Sequence, residues 1–154
     1  MHEMRRWALL LGLGLALSTA SSGSGEAQQP AQSGPPHAWL YGTWTGGIFP
    51  ATETEGAACF GQPTVIFTRD VVMRSSPLDV AYRQRLVETA TATPNGVDFR
   101  LVPVGPAQPG RAPLGVGFGC ADVNTLRVER RGENEIVFPD CAEFPSPLKR
   151  CVSR

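Results

Sequence analysis

The chain has 154 residues, enough for one domain with one core, and its 14 basic and 14 acidic residues leave no net charge. A nucleic-acid binder is expected to concentrate basic residues on one face. The nearest candidate patch, Arg127, Arg130 and Arg131, is interrupted by Glu129 and followed by Glu133 and Glu135, so it reads as a solvated mixed-charge hairpin and no nucleic-acid partner is expected.

In chain order, Arg5 and Arg6 precede an unbroken apolar run at residues 8–17, the pattern of a secretory signal peptide. A spanning helix needs roughly 20 apolar residues, so no membrane span is expected here or later. Residues 1–27 are read as the signal, with cleavage after Ala20 as the alternative; Glu3, Arg5, Arg6 and Glu26 leave with it and the charge balance stays at zero. No cysteine follows the apolar run to carry a lipid, so a soluble periplasmic or secreted product is expected. The stretch SSGSGEAQQPAQSGPP has no apolar periodicity and cannot offset the entropy of ordering itself. Residues 28–38 are therefore read as a flexible leader, including His37 as a linker residue, and residues 39–154 as the domain.

Within that domain Gly and Pro punctuate segments in which apolar residues alternate, the period of strands. In the first, Leu40, Trp44 and Ile48 share a face with Gly42 and Gly46, while Trp39 and Tyr41 point the other way. Strands follow at residues 64–67 and 71–74. A hairpin is predicted from 82–93 and 97–102, turning at Asn95-Gly96, with Val97, Phe99 and Leu101 on one face. A second hairpin joins 125–130 to 135–138 through Gly132. A helical turn near residues 77–82 is the only helix considered. Seven or eight strands with no helix to cover a sheet face predict an all-β chain, a single antiparallel meander closing into a small barrel, with a β-sandwich as the alternative.

Four cysteines, Cys59, Cys120, Cys141 and Cys151, an even number in an exported chain, predict two disulfides. No C-x-x-C pair occurs, so no metal site is expected. The favoured pairing joins Cys59 to Cys120 and Cys141 to Cys151, because the two prolines of CAEFPSPLKRC suit a short closed loop. The rival joins Cys120 to Cys141 across a hairpin mouth and Cys59 to Cys151.

The Gly42-Thr43-Trp44 triplet, opening an antiparallel meander after a signal peptide and leader, resembles the Gly-x-Trp motif that begins lipocalins and related calycin-type barrels. Gly42 stands two residues before Trp44 on the same face, leaving room for the indole to lie across the closed end as a plug. Its ring N–H then needs a buried acceptor, and Arg150 or Arg127 from a late strand is placed to stack on it. Small exported barrels with this opening include bacterial inhibitors of secreted metalloproteases, whose leader enters the protease cleft, and the layout of this chain is similar.

Chemistry is sparse. A triad needs a base beside its nucleophile, and the mature chain offers only His37. Ser146-Pro147-Leu148-Lys149 spells S-x-x-K without its partner motifs. GVGFGC, with Gly115, Gly117 and Gly119, precedes no helix that would cradle a phosphate. Glu53 and Glu55 are the only close carboxylate pair in a loop. No enzyme activity and no cofactor are expected. The reading is a binding module for an apolar small molecule, with Trp39, Tyr41, Phe49 and Phe60 at the rim and Val97, Phe99 and Leu101 below. The alternative partner is a secreted or envelope protein, bound through the leader and the loops around Cys59 and Cys120, as an inhibitor would bind.

Overall fold

The computed structural model describes residues 34–77, 83–105 and 117–153. The signal segment, the leader up to residue 33, the possible helical turn at 78–82 and Gly115 lie outside them. A 3-10 turn, Ala38–Leu40, leads into β1 (Gly42–Gly46), followed by a five-residue helix α1 (Gly56–Phe60). The remaining strands are β2 (Thr64–Phe67), β3 (Val71–Ser75), β4 (Arg83–Thr93), β5 (Gly96–Pro103), β6 (Thr125–Arg130), β7 (Glu135–Val137) and β8 (Leu148–Arg150). They form a closed antiparallel barrel in chain order, β8 returning to pair with β1 through Trp44 opposite Arg150. Closure leaves no strand edge unpaired.

Alternation puts Val65, Phe67, Val72, Val97, Phe99, Leu101, Leu126, Val128, Ile136 and Leu148 inside, and all are buried. The rings stack through the middle: Phe67 lies 5.9 Å from Phe99 and 6.3 Å from Phe138. So small a cylinder is filled by its own side chains. One end carries short turns, after β2, β4 and β6, and receives the 3-10 turn; the other carries the long connections. We call these the turn end and the loop end.

Four local features differ from the sequence reading. The β4–β5 turn is Pro94-Asn95, not Asn95-Gly96: Gly96 pairs with Thr93 and already belongs to β5. Gly96 is required for closeness instead, because a Cβ there would sit 1.9 Å from the Val128 carbonyl oxygen of β6. Leu148–Arg150 is a strand rather than part of a covalently closed loop, and α1 occupies what reads as a plain loop.

The disulfide pairing follows from β8. This strand carries Cys151 beside β1, where its N–H donates to the Thr43 carbonyl at 2.8 Å, and there Cys59 of α1 meets it. The bonds are thus Cys59–Cys151 and Cys120–Cys141, the rival pairing, which corrects the favoured one. The second links the β5–β6 and β7–β8 connections at the loop end, where Cys120 and Cys141 also form an isolated antiparallel bridge. Such bonds persist in oxidising compartments outside the cytosol. Among the described residues no helix is long and apolar enough to cross a membrane.

Candidate functional site

The aromatic residues nominated from the sequence do not form one rim. Trp39 and Tyr41 flank the turn end, Phe49 lies beyond β1 and Phe60 sits on α1, these last two being 54% and 56% exposed. Val97, Phe99 and Leu101 do face inward, but packed among other side chains, so they fill the barrel. Tyr41 and Phe99 are brought into one neighbourhood by a residue read as a linker. His37 is only 2% exposed, its ring edge-on to Tyr41 at 5.4 Å and to Phe99 at 5.1 Å. Its Nε2 is 3.0 Å from the Arg69 carbonyl oxygen in the β2–β3 turn. The ordered fold therefore starts before residue 39.

Trp44 is fully buried, as a plug should be. Its Nε1–H donates to the Leu40 carbonyl at 2.8 Å, which supplies the acceptor the indole needs. The arginine stacked on it is Arg150, with its guanidinium carbon 4.2 Å from the ring centre. The same guanidinium donates from Nη1 to the Tyr41 carbonyl at 2.8 Å and from Nη2 to the Trp39 carbonyl at 2.5 Å. Gly42 is required for its backbone and not for room: φ there is +116°, whereas a Cβ would stand 3.6 Å from Arg150 Nη1, an ordinary contact distance. Arg127, the other candidate, points outward to Asp98, at 3.0 Å.

A second tryptophan–arginine pair stands at the same end. The Arg130 guanidinium carbon lies 4.1 Å from the centre of the half-buried Trp39 ring. The pair forms one wall of an open groove of about 450 Å³, bounded also by Pro36, Thr93, Asn95 and Arg131. Arg150 holds the Trp39 backbone through its carbonyl, and the ring itself is covered by Arg130. Burial, and then the charge of Arg130, push the Arg150 guanidinium down from its ordinary value. Arg131 leans on Glu129 at 3.9 Å. Among the described residues Arg130 has no carboxylate partner. The sequence reading grouped Arg130 with its charged neighbours, yet parity separates it: Arg130 continues the inward face of Leu126 and Val128, whereas Arg127, Glu129 and Arg131 lie on the other.

At the loop end three more arginines face inward, Arg74, Arg85 and Arg83, the last 4.0 Å from the Glu143 carboxylate. Arg74 is paired with Glu143 and lies 5.3 Å from the Phe144 ring centre. Arg85 donates to Asn124 Oδ1 at 2.5 Å; burial pushes its guanidinium below the ordinary value and Asp122 opposes this. Glu143 in turn covers Gly119, where a Cβ would come within 2.3 Å of its side chain. These contacts tie the connections together. Of the other motifs, the Ser146 N–H donates to Gly47, Lys149 pairs in β8, and Glu55 forms a bridge with Val152, all structural uses. Glu53 offers its carbonyl to the Gln62 amide. Set against protein-family models, curated proteins and solved structures, the chain finds no match in any of the three.

Proposed function

We propose that this chain is an exported, disulfide-bonded, lipocalin-like barrel that acts by binding a secreted or envelope protein at its turn end, without enzyme activity. One observation carries the reading: the interior positions that a small apolar ligand would need are filled, with Val97, Phe99 and Leu101 packed into the core. The open groove instead lies outside, beside Trp39, where the chain enters the barrel. The leader at residues 28–33 precedes this end in sequence. Two disulfides suit a protein that works in an oxidising compartment, and the Trp44–Arg150 stack supports the lipocalin-like reading.

Trimming residues 28–33 tests it. A partner isolated with the intact protein, a secreted protease in the inhibitor case, should bind the trimmed protein at least ten-fold more weakly. Titration with fatty acids should leave tryptophan fluorescence flat. Saturable quenching that disappears in Phe99→Asp, together with unchanged partner binding after trimming, would replace this reading by the small-ligand one.

A further inference from the structure

We propose that the Trp39–Arg130 groove is a recognition subsite for an acidic side chain on an extended segment of the partner protein, its carboxylate held by Arg130 and its apolar neighbour laid on Trp39. The inference rests on the protein-binding reading above and adds the chemistry of what is bound.

The argument is one of unused capacity. Each of the other four inward-facing arginines is occupied by an acceptor of this chain: Arg74 and Arg83 by Glu143, Arg85 by Asn124 and Arg150 by two backbone carbonyls. Outward-facing Arg100 and Arg127 pair with Glu88 at 2.6 Å and Asp98 at 3.0 Å. The Arg130 guanidinium lies across the Trp39 ring, and no side-chain hydrogen bond or ion pair joins it to another described residue; its backbone N–H donates to the Asn95 carbonyl at 2.8 Å. A guanidinium stacked on an indole keeps its in-plane N–H donors free, and those donors match a carboxylate in a two-point geometry. Stacking holds the plane still, so less side-chain freedom is lost when the carboxylate arrives.

The surroundings favour an acid from outside. Arg150 lies close enough for Arg130 to disfavour its charge, so an arriving anion relieves repulsion between two cations. Glu129 is engaged with Arg131, and Glu133 and Glu135, on the turn and strand after it, form no ion pair with Arg130. With cleavage after Ala27 the leader residues 28–33, QQPAQS, carry no carboxylate for this site. Pro36, Trp39 and Ala92 give the groove an apolar side, and Thr93 and Asn95 a polar one. At about 450 Å³ it has room for a few residues of extended chain.

The test titrates the oxidised exported protein with two blocked tripeptides, acetyl-Leu-Glu-Leu-amide and acetyl-Leu-Gln-Leu-amide, and with hexanoate, following the Trp39 Nε1–H resonance. The glutamate peptide should bind about five-fold more tightly than the glutamine peptide. Arg130→Gln should bring the two within two-fold of each other, while Arg131→Gln keeps the preference. Arg130 is exposed, so both variants should fold, and an unchanged Trp44 resonance checks this. Equal binding of the two peptides, no response from Trp39, or a preference that survives Arg130→Gln would overturn the proposal, as would hexanoate matching the glutamate peptide. The leader-trimming experiment reads the partner and this titration reads the groove, so either can fail alone.

Discussion

At the residue scale, Trp44 and Arg150 form one unit. The indole has its N–H satisfied by Leu40 and its face covered by a guanidinium that also grips two carbonyls of the incoming chain. Truncating Trp44 to Ala should cost about 3–5 kcal/mol, since a fully buried side chain of that size leaves a cavity the closed barrel cannot collapse into. Arg150→Lys keeps the charge but not the fork, and two hydrogen bonds to carbonyls are lost; about 1–3 kcal/mol is expected. Urea unfolding of each variant measures both. Glycines give a sharper contrast. Gly96→Ala places a methyl against the Val128 carbonyl and should cost about 1–3 kcal/mol, whereas Gly132→Ala meets no atom within 4 Å and should change stability by less than about 0.5 kcal/mol. Equal losses at the two positions would refute the close-approach account of Gly96.

At the element scale, legibility follows length and alternation. Thr64–Phe67 could be read to the residue as a short β-branched and aromatic run, and Thr125–Arg130 because it alternates between core and solvent with Leu126 and Val128 inside. Leu148–Arg150 could not be bounded: Arg150 reads as a candidate to stack on Trp44 from a late strand, but three residues give one inward pair, Leu148 and Arg150, too few to show alternation. The five-residue α1 lacks a side-chain cap and is too short to show a 3.6-residue period. Missing β8 led directly to the wrong cysteine pairing. Within the candidate site, Trp39 was legible as an aromatic at the rim. Arg130 carried the right parity but was masked by the charges on either side, and His37 gave no signal at all, because its burial depends on Arg69 and Phe99, distant in sequence.

At the scale of the whole molecule, two covalent links of unequal reach hold the cylinder. Cys59–Cys151 spans 92 residues and Cys120–Cys141 spans 21. Loop-closure entropy alone assigns about 4–5 kcal/mol to the longer link and about 3 kcal/mol to the shorter. Replacing Cys59 and Cys151 together by Ser should therefore lower the thermal midpoint more than replacing Cys120 and Cys141. The reverse order, by calorimetry, would show that the loop end matters more to stability than the junction of first and last strands.

That junction has one more implication. β8 is only three residues long and is the last strand laid down, the kind of segment one copy could lend to another, and a lost β8 would bare β1 and β7 as sticky margins. The sulfur bridge from Cys151 to α1 forbids that exchange, since the strand cannot leave without severing a covalent bond. Mild reductant should thus convert a monomer into swapped oligomers on size-exclusion chromatography while the oxidised protein elutes unchanged, which makes this thiol pair a guard of solitude as much as a source of stability.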